Sequence, residues 1–118
     1  MPRGDSLGPF EQLVLTAILS LGERAYGVTI HQKVGELARP KSAPLGAIYV
    51  TLDRLEDKHY VSSWLSEPTA ERGGRAKRCY KLEAAGERAL RESIATAQRM
   101  AESVAAVWGP RRKEWGKA

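Results

Sequence analysis

The densest chemistry in the chain lies between Arg72 and Leu82, RGGRAKRCYKL, where Arg72, Arg75, Lys77, Arg78 and Lys81 make five of eleven residues basic. A row of guanidinium and ammonium groups neutralises phosphates and releases their counterions, which is the chemistry of gripping a polyanion. Gly73 and Gly74 at its centre let the backbone come close to such a partner. The competing reading is a charged loop that only faces water.

A second set of residues stands earlier in the chain, in LGAIYVTLDRLED from Leu45 to Asp57. Gly46 and Ala47 are small, and Val50 and Thr51 are β-branched, where a water-facing helix carries Glu and Lys. Small side chains admit base edges, and Val50 or Thr51 can touch a thymine methyl group. The Tyr49 hydroxyl can hold a phosphate, or its ring can be half buried as an amphipathic side chain. Arg54 can reach a phosphate or pair with Glu56 or Asp57. Lys33, Lys41 and Lys58 read as solvated lysines.

Other chemistries lack their constellations. His31 and His59 have no Cys or carboxylate at metal-ligand spacing, so no metal and no cofactor is expected. Ser62 and Ser63 lack the surroundings of an activated nucleophile, and RGGRA lacks the context of a phosphate-binding nucleotide loop. Enzymatic activity is not expected. Cys79 is either a thiolate favoured by neighbouring cations, hence a redox switch, or a small side chain on a strand. As the sole cysteine it forms no internal disulfide, which fits a reducing cytoplasm. The start of the chain has no apolar run like a signal peptide's, and Leu13–Leu19 is too short to span a bilayer, so no membrane association is expected. The 118 residues suit one domain, and 19 basic against 14 acidic residues leave a net charge of +5, favouring DNA, RNA or an acidic surface.

The elements that must position these groups follow from periodicity. Residues 1–8 read as a flexible arm. After Pro9, the residues Phe10, Leu13, Val14, Ala17, Ile18 and Leu21 mark one face of a helix ending at Gly22, with Leu15 and Leu19 off that face. A second helix covers Tyr26 to Leu37, with Ile30, Val34 and Leu37 inward. A third runs from about Pro44 to Lys58 on an inner stripe of Leu45, Ile48, Leu52 and Leu55, with Ser42 as its cap. The period then changes to two. Tyr60–Glu67 and Lys77–Leu82 pair as strands, with Arg78, Tyr80 and Leu82 on one face and Lys77, Cys79 and Lys81 on the other. A last helix runs from near Glu83 to Trp108, and residues 109–118 form a basic tail.

The fold class expected is mainly α with a small β-hairpin. Three helices followed by a hairpin is the order of a winged helix-turn-helix, here spanning 9–82, whose third helix enters the major groove of double-stranded DNA beside the wing. In the last helix Leu90, Ile94, Ala97, Ala101, Val104 and Trp108 are spaced 4, 3, 4, 3, 4, the seam of a helix meeting another helix. Residues 83–108 are therefore expected to pair with a twin in a homodimer, using also Leu15 and Leu19 of the first helix; packing onto their own domain is the alternative. Trp64 and Trp108 can flank a ligand cavity or simply pack. Two other classes stay open: a winged-helix protein-interaction module, and an architectural or RNA-binding module without ligand control.

LGPFEQLVLTAIL, AYGVTI, LGAIYVTLDRLEDKHYVSS and EPTAERGGRAKRCYKLEAAG, in this order and spacing over residues 7–90, resemble the PadR family of bacterial transcriptional regulators. The resemblance implies a dimeric winged-helix repressor acting on a palindromic operator, with a single C-terminal dimerisation helix as in the short members. It implies that LGAIYVTLDRLE is the recognition helix, that Tyr49 meets the DNA backbone, and that the wing from Arg72 to Arg78 touches the neighbouring groove. It further implies a planar aromatic or lipophilic effector bound between subunits against a tryptophan of the last helix, for which Trp108 is the candidate by region. His59 departs from the glycine common after the recognition helix, and Cys79 stands where an aromatic is more usual.

Overall fold

The computed structural model describes residues 7–67 and 76–109. Helix α1 (Pro9–Leu21) leads through a 3-10 turn (Gly22–Arg24) to α2 (Gly27–Ala38) and α3 (Leu45–Asp57); strands β1 (Val61–Leu65) and β2 (Arg78–Leu82) form a hairpin, and α4 (Ala84–Trp108) follows. This is the expected class, mainly helical with one antiparallel two-stranded hairpin.

Helix α1 begins where Pro9 needs no hydrogen-bond partner for its nitrogen. The Gly8 N–H donates to Glu11 Oε1 at 3.0 Å. The helix touches α2, α3, α4 and β2, and so is buried on several sides. Val14, Leu15, Ala17 and Ile18 are buried, whereas Leu19 is 60% exposed. Leu15 is thus a core residue of its own chain, which corrects its assignment to a subunit contact. Leu90 is corrected likewise: at 5% exposure it is the residue by which α4 enters the core.

Helix α2 sends Ile30 and Val34 inward but leaves Leu37 43% exposed, against expectation. Helix α3 buries Ile48, Thr51, Leu52 and Leu55, while Leu45 is 37% exposed in the first turn. Pro44, not Ser42, precedes that turn, and no side chain caps it. The far end closes as a Schellman turn: His59 N–H donates to the Glu56 carbonyl at 2.9 Å and Tyr60 N–H to the Leu55 carbonyl at 2.9 Å. His59 takes the left-handed conformation this turn requires, with φ 64°.

The hairpin register pairs Val61 with Leu82, Ser63 with Tyr80 and Leu65 with Arg78. A third short segment joins it, because Tyr26 bridges Cys79 and Tyr80 N–H donates to the Ala25 carbonyl at 2.9 Å. Residues opposite one another share a face, so Cys79 is flanked by Trp64 on β1 and Tyr26 on the other side. This buries it to 6%, although it shares the expected face with Lys77, whose ammonium group lies over the same Tyr26 ring. A covered site suits the small strand side chain rather than a reactive thiolate.

Helix α4 leaves the hairpin through a tight joint. Glu83 N–H donates to the Tyr60 carbonyl at 2.9 Å, and a methyl group on Gly86 would overlap that same carbonyl. Beyond Leu90 the helix runs out from the core, with Ile94, Met100, Val104, Val107 and Trp108 exposed. Its 25 residues make a rod roughly 37 Å long.

Candidate nucleic-acid interface

The outer face of α3 carries Gly46, Tyr49, Val50, Asp53 and Arg54, all exposed, with Ala47 half-buried. It follows from the spacing of the inner face: once Ile48, Leu52 and Leu55 turn inward, positions 46, 49, 50, 53 and 54 turn out. Thr51 is the exception among the expected contact residues. It stands three residues after Ile48 and four before Leu55, on the same side, and its 4% exposure puts it in the core rather than on the interface. Asp53 was missed, although the same spacing places it outside; its carboxylate discourages close approach of phosphate at that point.

Tyr49 is 43% exposed, and the end of its ring lies against Gly27, where a methyl group would overlap the phenol. The first residue of α2 therefore has to be glycine for the phenol to rest there, and Tyr49 is braced between α3 and the start of α2. Arg54 is exposed and forms no ion pair among the described residues. Lys58 is not the solvated lysine expected. Its Nζ lies 3.1 Å from Glu11 Oε2 in a largely buried pair joining the end of α3 to the start of α1, and 5.7 Å from the centre of the Tyr60 ring.

At the base of the hairpin, Lys77 Nζ stands 4.2 Å from the centre of the Tyr26 ring, a cation–π contact that holds the ammonium group near the start of α2. Arg78 is exposed, and its guanidinium donates to Ser63 Oγ at 3.0 Å, whose hydroxyl in turn donates to Glu56 Oε2 at 2.8 Å. Thus one basic residue of the hairpin is tied back to α3. Beneath this relay, burial pushes the Tyr80 phenol above its usual range; Arg78 opposes the shift, and Glu56 and Asp53 add to it. Arg72, Gly73, Gly74 and Arg75 lie outside the described residues.

The described residues bring the two expected recognition elements together, α3 directly followed by the hairpin, with β1 packed on α3. They do not gather a ligand cage around the tryptophans. Trp64 stands on β1, 42% exposed, and Trp108 in the last turn of α4, 68% exposed. Two open grooves run along α4 instead. One of 460 Å³ is lined by Leu7, Pro9, Gln12, Ala89, Thr96 and Met100 among others; another of 350 Å³ is lined by Leu19, Leu90, Ile94 and Gln98 among others. Neither includes a tryptophan. Among the described residues no three His, Cys, Asp or Glu side chains form a metal-binding group, and no helix is long and apolar enough to cross a membrane.

The profile of the transcriptional regulator PadR-like family matches residues 14–92. A PadR family transcription regulator from Clostridium difficile is 27% identical, with a TM-score of 0.66 over 86% of this chain and 98% of that one. A PadR-like transcription factor from Bacteroides fragilis is 28% identical, with a TM-score of 0.63 over 82% of this chain and 87% of that one. The Bacillus subtilis PadR, solved in complex with operator DNA, shares the fold at 23% identity, with a TM-score of 0.61 over 73% of this chain and 46% of that one. No curated protein sequence matches the chain.

Proposed function

The chain belongs to the PadR-like family of transcriptional regulators, and from this premise we propose that it is a sequence-specific repressor that grips double-stranded DNA as a homodimer in the cytoplasm. The observation that carries the reading is the uncovered outer face of α3, small at Gly46 and apolar at Val50, with Tyr49 and Arg54 beside it and a basic hairpin alongside. Such a face fits the edges of bases better than it fits water. Lys77, together with Arg72, Gly73, Gly74 and Arg75 of the sequence between the two strands, supplies the phosphate contacts. The operator DNA held by the B. subtilis PadR supports the same partner here.

Residues 9–82 form the DNA-binding unit and 83–108 the dimerisation helix. Ile94, Ala97, Ala101, Val104 and Trp108, all exposed in the single chain, form the seam with a second copy, and Leu19 joins it from α1. Two such units read a palindromic operator with half-sites about one helical turn apart. The effector is a planar aromatic or lipophilic compound held between subunits against Trp108, away from the two grooves of the single chain; Trp64, on the hairpin, is the other candidate for that contact.

Selection of bound duplexes from random DNA, followed by a salt titration of the winning sequence, tests the reading. A palindromic site whose affinity falls steeply with salt is expected. Recovery of no preferred duplex would falsify it. Charge reversal at Arg72, Arg75 and Lys77 separates it from a protein-interaction module, since only a DNA-binding protein then loses the duplex. Quenching of tryptophan fluorescence by planar aromatic compounds, abolished in Trp108→Leu, tests the effector.

A further inference from the structure

The first turn of α3 carries Gly46 and Ala47, yet the helix starts without a cap. Its N-terminal N–H groups at Ala47 and Ile48 are satisfied by the Pro44 carbonyl at 3.0 and 3.4 Å, Ser42 is exposed, and Pro44 offers no polar side chain. The carbonyl just before it, that of Ala43, is turned out of the helix and lies 2.8 Å from His31 Nε2. His31 sits on α2 directly after Ile30, which is wholly buried, and three residues before Val34, also buried. The backbone that carries the imidazole is therefore fixed in the core. The other hydrogen bond of this connection, Lys41 N–H to the Ala38 carbonyl at 3.0 Å, is a local turn at its far end and does not locate Ala43.

We infer that His31 is a positioning residue that fixes where α3 begins and thereby sets sequence discrimination on DNA; this rests on reading α3 as the helix that enters the groove. A carbonyl oxygen only accepts, so the contact requires a proton on Nε2. Base edges are read by the first turns of a recognition helix, and hydrogen bonds to bases tolerate less displacement than phosphate contacts made by long flexible side chains. Loss of the imidazole anchor therefore lowers discrimination while leaving the general attraction to duplex intact.

The test compares the unaltered protein with His31→Leu, which keeps bulk without a donor, and His31→Gln, whose amide nitrogen reaches the place of Nε2. Each is titrated with the selected duplex and with a scrambled duplex of equal length at several salt concentrations, alongside a thermal melt. For His31→Leu the ratio of the two affinities is expected to fall about tenfold. The affinity for scrambled duplex and its salt slope are expected to stay within about twofold, and His31→Gln to recover most of the ratio. An unchanged ratio in His31→Leu overturns the inference, as does an equal loss on both duplexes, or a Gln variant that melts like the unaltered protein but does not recover. Nitrogen NMR of the unaltered protein adds a reading that needs no variant: an imidazole without a proton on Nε2 near neutral pH also overturns it. If the unaltered protein prefers no duplex at all, the functional reading itself has failed and the role of His31 falls with it.

Discussion

His59 holds φ 64° because the Schellman turn after α3 leaves the chain no other way to satisfy the Glu56 and Leu55 carbonyls. A side chain in that conformation costs about 1–2 kcal/mol, partly offset by glycine's larger loss of freedom on folding. His59→Gly is therefore expected to raise stability by about 0.5–1 kcal/mol, seen as a higher midpoint in urea with an unchanged slope. A lower midpoint would mean that the imidazole makes a contact worth more than the backbone strain. In Gly27→Ala the new methyl group displaces the Tyr49 phenol, which is a movable side-chain end. Little stability should be lost, but duplex affinity should fall about tenfold, or about 1.4 kcal/mol, as Tyr49 leaves its place. Affinity equal to that of the parent would remove Tyr49 from the interface. Of these residues, the sequence reveals His59 as a stop but not its handedness. Thr51 reads as part of the outer stripe by its β-branched type, yet its spacing from Ile48 and Leu55 puts it inside, where it is 4% exposed.

Among the elements, helices α1 to α4 and both strands are legible from their hydrophobic periods, helped at some ends by Pro or Gly, as at Pro9 and Gly22 of α1 and Gly109 of α4. What is not legible depends on partners far away in sequence. The Lys58–Glu11 pair closes a separation of 47 residues, and no local pattern announces it. The burial of Cys79 needs Tyr26 on one flank and Trp64 on the other, and the Ala25–Tyr26 bridge is too short to show a strand period. Leu15 lies off the main face of α1, and what covers it belongs to elements distant in sequence, since α1 touches α2, α3, α4 and β2. Gly86→Ala places a methyl group on the Tyr60 carbonyl, a backbone atom that cannot step aside. It is expected to destabilise the fold by about 1–3 kcal/mol, the usual cost of overpacking. Chemical denaturation checks this, and a neutral result would show that the start of α4 can shift.

For the whole molecule, the exposed apolar residues of α4 matter more than any one contact. Ile94 is 47% and Val104 40% exposed, so neither contributes much to the folding of a single chain. Ile94→Arg combined with Val104→Arg is expected to leave the secondary structure intact, convert a dimer to monomers in sedimentation at micromolar concentration, and weaken binding to a palindromic duplex far more than to one half-site. A double variant that still sediments as the parent does would place the subunit contact elsewhere.

The joint at Gly86 has one more consequence for a long helix held at its base. A rod clamped where it meets the hairpin behaves as a lever arm. On the reading that α3 enters the groove, a rotation imposed at the Trp108 end of α4 reaches that helix through this joint, where the Glu83–Tyr60 hydrogen bond and the close approach at Gly86 hold the base of α4 against the end of α3 and the hairpin. A compound that wedges between two such arms need not touch α3 to spoil its aim.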